Sequence, residues 1–280
     1  MANLLTQAHK KVSHKLFLTS KSLLQNAIFL GNRAQKPNLH VFVAGAQRSG
    51  TNMMMDVLER SLQTDIYHET DTRAFDNYLM RDVCVIRALV EESKAPIFVI
   101  KALCELDRLT ELMTSFEPAK TVWIVRDFND VVNSALISFK SLPRSVADMV
   151  IYRDQEDWRS RGMSDATFGL LRELYHAEID AASAIALFWY SRNILFFEQH
   201  LDQDSNVLLV RYESLVSEPE RSFERIFKFL ELNYSLRIVS NVFNSSIGRR
   251  PPPVIESAVR EVCEELLHTF QLTIDTDDRF

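Results

Sequence analysis

GAQRSGTN, residues 45–52, joins the apolar run HVFVA to the helical pattern MMMDVLERSL. Strand, tight turn, helix is the order that aims backbone N–H groups and a helix N-terminus at an anion. Gly45 permits a sharp exit from the strand, and Gly50 lets the backbone approach an oxyanion closely. Thr51 offers a hydroxyl, and Arg48 is the cation inside the loop. A nucleoside-triphosphate loop would read Gly-x-x-x-x-Gly-Lys-Ser/Thr. Gly45 and Gly50 have that separation, but Thr51 stands in the lysine position. The loop therefore suits an anion other than ATP, and a P-loop kinase using ATP is the second reading.

WIVRDFNDVVNSALISF (123–139) offers a second anion-binding pair. Arg126 ends an apolar strand pattern, and Ser134 follows eight residues later on a helix pattern. A guanidinium at a strand terminus presents a bidentate fork to a phosphate. The plainer alternative pairs Arg126 with Asp127 or Asp130 and turns Ser134 to solvent. Farther on, VLLVRYESLVSEP carries Tyr212 and Pro219, and NSSIGRR (244–250) carries Ser246, Arg249 and Arg250 on a basic turn. Between the first two stretches, YHETDTRAFDNY (67–78) follows a short apolar piece and places His68 and Glu69 where a loop at the carboxyl end of a strand would meet a ligand.

These residues need a scaffold. Continuous apolar runs at 40–45, 96–102, 120–125 and 206–212 predict buried strands. Helical patterns at 50–62, 78–92, 106–116 and 130–139 alternate with them. That alternation predicts an α/β fold, a parallel sheet with helices on both faces. Residues 141–205 have few strand signals and are expected as a helical insert that shapes the acceptor pocket. Within it, Trp189 and Tyr190 fit a helix core better than a base-stacking role. After the breaker PPP at 251–253, residues 254–270 read as an amphipathic closing helix. Residues 39–280 are expected to form a single domain, with 1–38 as a basic amphipathic N-terminal segment.

The chain has 280 residues, 46% hydrophobic and 25% charged, enough for a sizeable core. Its net charge of −6 argues against nucleic acid as the main partner. The charge is uneven: residues 1–55 contain no Asp or Glu but carry Lys10, Lys11, Lys15, Lys21, Arg33, Lys36 and Arg48. Residues 3–30 fit a basic helix that docks on the body of the protein, rests on an anionic membrane surface, or acts as a transit peptide. SLLQNAIFL is too short to span a bilayer. Cys84, Cys104 and Cys263 are sparse and widely spaced, which suits a reducing, cytoplasmic compartment, buried structural roles and no metal site.

The pattern Arg48-Ser49-Gly50-Thr51-Asn52 after the first strand resembles the sulfotransferase family, whose donor is 3′-phosphoadenosine 5′-phosphosulfate (PAPS). Arg126, Asp130 and Ser134 fit a second motif of that family, and VRYESLVSEP a third. The likeness runs from about residue 40 to 270 and is strongest to bacterial and Golgi-type members. It implies the P-loop fold, a donor and no metal. Gln47, Arg48, Ser49, Gly50, Thr51 and Asn52 would hold the phosphosulfate, with Arg48 stabilising the leaving phosphate. Arg126, Ser134 and Arg249 would hold the 3′-phosphate, and Tyr212 and Ser246 would meet adenine. One branch of the family has Lys-x-His after its second strand. Here Lys101 is followed by Leu103, which excludes that histidine and leaves Lys101 as a donor-side cation or a charge at a strand end. Other branches use as general base a Glu roughly twenty residues beyond the loop, where Glu69 stands, with His68 the second candidate. Acceptors of carbohydrate, lipid or small-alcohol type fit, as does a non-catalytic protein that binds 3′-phosphoadenosine 5′-phosphate (PAP).

Overall fold

The computed structural model describes residues 16–28, 37–240, 242 and 247–277. Helix α1 spans residues 16–28. The chain enters β1 (Leu39–Ala44), passes the glycine loop, and forms α2 (Thr51–Leu58) and β2 (Thr64–Tyr67). A small antiparallel ribbon, β3 (Phe75–Asp76) with β4 (Leu79–Met80), precedes α3 (Val83–Glu92). Then come β5 (Ile97–Ala102), α4 (Leu109–Ser115), β6 (Ala119–Val125) and α5 (Phe128–Ser138). The stretch expected as a helical insert holds α6 (Leu142–Tyr152), α7 (Asp165–Leu174), α8 (Ala181–Asn193) and the short α9 (Leu195–Glu198). β7 (Val207–Arg211) runs into α10 (Tyr212–Ser217) and α11 (Pro219–Phe229), which Pro219 opens, and α12 (Ser257–Asp277) follows.

Five strands form a parallel sheet in the order β2-β5-β1-β6-β7. Its central strands read as unbroken apolar runs because both faces are covered. Val41 and Val43 join Val99, Ile124 and Val210 on one face, against Met54, Leu215 and Phe223 from α2, α10 and α11. Phe42 and Ala44 join Phe98, Trp123 and Val125 on the other, against Val132, Trp189 and Phe270 from α5, α8 and α12. Chain order reverses around β1, with β5 on one side and β6 on the other. Open α/β sheets bind ligands beyond the strand C-termini at such a reversal.

The structure departs from the sequence expectations in four places. β2 is a fifth, edge strand whose four residues, buried at both ends and half-buried between, carry no clear period. The helix expected from residue 78 begins at Val83, because Asn77 and Tyr78 form a tight turn with φ of 48° and 68°. Cys84 is exposed on α3, whereas Cys104 and Cys263 are buried as expected. α8, in the insert expected to shape the pocket, is instead buried among α5, α6 and α12, with Trp189 in the core as expected. Of the expected N-terminal helix, residues 3–15, 29 and 30 lie outside the described residues. Among the described residues no helix is long and apolar enough to cross a membrane.

Candidate active site

Two glycines at positive φ shape the loop after β1. Gly45 leaves the strand at φ 142°, where a Cβ would lie 2.4 Å from the Ile124 carbonyl oxygen. Gly50 sits at φ 101°, where a Cβ would lie 2.3 Å from the Tyr212 ring. Arg48 also takes a left-handed conformation, φ 71°. The turn is pressed between β6 and the start of α10, and α2 begins at Thr51 with its positive dipole end at the loop. Ser49 is buried, and among the described residues its Oγ and the Oε1 of Gln47 have no hydrogen-bond partner.

β6 delivers Arg126 to the same point. Its Nη1 donates to the Arg48 carbonyl at 3.3 Å, and its Nη2 pairs with Asp130 Oδ2 at 3.3 Å. The guanidinium lies 4.3 Å from the Tyr212 ring centroid. Behind it, the indole N–H of Trp189 donates to the Arg126 carbonyl at 3.1 Å, so α8 fixes the strand end from the core. Ser134 is half-buried and accepts a 2.8 Å hydrogen bond from Arg48 Nε. Asp130 Oδ2 also accepts from the Gly248 N–H at 3.3 Å, and Asn133 donates to the Pro251 carbonyl at 3.1 Å. These bonds lay Arg249 and Arg250 beside the exposed face of α5.

A single cavity of about 440 Å³ joins Gln47, Arg48, Gly50, Thr51 and Asn52 to Arg126, Ser134, Tyr212 and Arg249. Ser246 lies outside the described residues. Glu69, Lys101, Met53 and Leu103 line the same cavity. Lys101 ion-pairs with Glu69 and donates to Asn52 Oδ1 at 2.5 Å, tying the end of β5 to the first turn of α2. The lysine is buried, with Glu69 nearly so. Burial pushes the Lys101 ammonium below the usual lysine range, and the Glu69 carboxylate opposes that shift.

His68 is not in the cavity. It lies in a separate cleft with Lys21, Asp71 and Arg73, its Nε2 3.6 Å from Glu59 Oε1. Successive side chains at a strand end point to opposite sides, so a chain that aims Glu69 at the loop turns His68 away. Asp71 and Arg73 pair with each other at 2.6 Å in that cleft. No described residue of 141–205 lines the cavity. Its remaining wall comes from α5 and just beyond, Asn133, Ile137 and Phe139. Sequence reasoning passed these over, although Asp130, Asn133, Ser134 and Ile137 have the spacing of one helix face.

The hollow thus gathers Arg48 from the loop, Arg126 from the end of β6, Arg249 and Arg250, with the Lys101–Glu69 pair at one side. The model of the sulfotransferase domain matches residues 38–247. The chain belongs to the sulfotransferase family. Sulfuryl transfer, rather than ATP-dependent phosphoryl transfer, is thus its chemistry, and the parallel sheet flanked by helices is that of a sulfotransferase. The sulfotransferase domain from the curacin biosynthetic pathway aligns with a TM-score of 0.51 at 13% identity, over 83% of this chain and 98% of that one. A sulfotransferase from Alicyclobacillus acidocaldarius gives 0.48 at 16% identity, over 86% and 94%. A mouse sulfotransferase solved with PAP gives 0.41 at 17%, over 75% and 65%. At such identities the likeness concerns the fold, and of these three the first carries it. No curated protein matches the sequence.

Proposed function

We propose that this sulfotransferase takes its sulfuryl group from PAPS and passes it to a hydroxyl or amine acceptor, with Glu69 as the general base. The observation that carries the reading is the cavity shared by the 45–52 loop, Arg126, Ser134 and Glu69. A donor with phosphate at both ends needs cations from two strand ends, and the end of β6 supplies one beside the loop that follows β1. The unpartnered Ser49 hydroxyl and the close Gly50–Tyr212 approach suit a loop that wraps an oxyanion.

On this reading Gln47 to Asn52 hold the phosphosulfate, Arg126, Ser134 and Arg249 the 3′-phosphate, and Tyr212 packs near the adenine. Glu69 accepts the acceptor's proton as its oxygen or nitrogen bonds to sulfur and the sulfur–oxygen bond to the 5′-phosphate breaks. Arg48 neutralises charge on the departing phosphate, and preorganised cations of this kind lower the barrier without rearranging. Lys101 holds the Glu69 carboxylate in the cavity and ties it to Asn52. Met53 and Leu103 add apolar surface to the cavity. Carbohydrate, lipid and small alcohols are the acceptor classes to screen. Residues 39–280 act as one domain with 1–38 as an accessory segment, and the free cysteines suit a cytoplasmic setting.

Calorimetry with PAP and with ADP–Mg²⁺ tests the donor site, and preference for ADP defeats the reading. Radiolabelled PAPS incubated with fractionated extracts tests transfer. Tight PAP binding without transfer to any fraction favours a non-catalytic PAP-binding protein, and a Glu69→Gln variant with undiminished turnover removes Glu69 from the role of base.

A further inference from the structure

Helix α1 is docked with its polar side inward. Its buried side chains are Lys21 and Gln25, one helical turn apart. Lys21 Nζ donates to the Glu59 carbonyl at 2.7 Å and to Thr64 Oγ1 at 3.3 Å. Gln25 Nε2 donates to the carbonyls of Leu62 at 3.0 Å and Thr64 at 2.9 Å. Most of the hydrocarbon faces outward: Leu16, Phe17, Leu23, Leu24 and Ile28 are 40–65% exposed, while Leu18 lines the cleft on the docked side beside Lys21 and Gln25. At 3.6 residues per turn these five, with Ser20 and Ala27 between them, fill an arc of roughly 140°. Lys21 is the only charge in residues 16–28, so no charged side chain lies on that arc. A surface helix ordinarily does the reverse, burying its apolar stripe.

Charge says what covers the stripe. Residues 1–55 carry no acid, while Lys10, Lys11 and Lys15 precede α1 and Arg33 and Lys36 follow it. A pairing of two copies through α1 would be isologous and would set two basic, acid-free segments against each other. An anionic lipid surface presents the opposite charge and a hydrocarbon layer just beneath it.

We propose that α1 is a peripheral membrane-docking element, with its outward stripe lying in the interfacial layer of an anionic bilayer. Lys21 and Gln25 clamp the body of the enzyme to the helix from the protein side. Two features divide the work. The lysines before and after α1 raise the local concentration at the surface, and the leucine face supplies the grip.

The test is sedimentation of the full chain with vesicles of phosphatidylcholine containing phosphatidylglycerol, and with phosphatidylcholine alone. Binding is expected with the anionic vesicles and is expected to weaken with added salt. Leu23→Asp/Leu24→Asp is expected to weaken it by roughly a hundredfold or more, since two leucines leave the hydrocarbon. Both positions are exposed, so PAP affinity of that variant stays at the wild-type value. Fluorescence of a Leu24→Trp variant is expected to be quenched by vesicles with brominated acyl chains. Failure of the full chain to sediment, unchanged binding of the double variant, or absence of quenching each overturns the proposal. A concentration-dependent dimer that the double variant dissolves, without vesicle binding, assigns the stripe to a second copy instead.

Discussion

Gly50→Ala is the sharpest perturbation of the anion loop. The backbone there sits at φ 101°, a region that L side chains rarely adopt. Holding alanine in it costs about 1–3 kcal/mol. The new methyl would also stand 2.3 Å from Tyr212 Cδ2 and 2.6 Å from Cε2, so the ring must move. Overpacking of that kind costs about 1–3 kcal/mol more. The sum, about 2–6 kcal/mol, is a large fraction of the roughly 5–15 kcal/mol of an ordinary domain. Tyr212 is also the surface on which the Arg126 guanidinium rests, at 4.3 Å, so a displaced ring displaces the arginine. Urea denaturation and PAP calorimetry should therefore both register the change, with at least a tenfold loss of affinity. In a double-mutant cycle with Tyr212→Ala, the two losses should fall short of additivity by about 1–3 kcal/mol, because removing the ring removes the clash. Gly169→Ala is the internal control. That glycine is helical, and no atom lies within 4 Å of where its Cβ would stand, so the substitution should stabilise by about 0.5–1 kcal/mol. Stability loss below about 0.5 kcal/mol at Gly50, with PAP binding intact, refutes the packing argument.

Glu69→Gln should lower turnover by roughly 10²–10⁴-fold while PAP affinity holds, measured by initial rates and calorimetry. Arg126→Ala should weaken PAP binding by roughly ten- to a hundredfold, the worth of a charge-assisted hydrogen bond. Arg126→Lys should recover only part of that, since an ammonium lacks the planar fork. Burial pulls the Lys21 ammonium down to about 8 from 10.5. Between those values the unfolded chain binds more protons than the folded one, so stability rises with pH across that window. Thermal unfolding of wild type against Lys21→Met should show the wild type gaining, by on the order of 3 kcal/mol at most, from pH 8 to 10.5.

The sheet was legible because its strands are buried on both faces: HVFVA, PIFVIKA, KTVWIV and NVLLVRY have no period to misread. The loop was legible because Gly45 and Gly50 answer to local constraints, a sharp turn and a left-handed φ, that any reader of residue types can infer. Arg126 and Ser134 were legible as candidates from their spacing alone. What spacing left open was whether Arg126 would pair with Asp130 or meet the loop. The fold does both, because β6 lies beside β1 and α8 pins the Arg126 carbonyl through Trp189. The choice between His68 and Glu69 was likewise invisible locally, since adjacent residues at a strand end diverge and only the neighbouring β5, with Lys101, says which side faces the cavity. The orientation of α1 lies at the far end of this scale. Its basic amphipathic pattern left open whether it docks on the body or lies on a membrane surface, and tertiary hydrogen bonds to Glu59, Leu62 and Thr64 dock its polar side and turn the apolar one out. Sequence thus determined which segments are the central strands, where the glycine turn after β1 falls and which residue types are available. Which of them meet was decided by strand order and by long-range pairing of buried polar groups, for which no local pattern is a substitute.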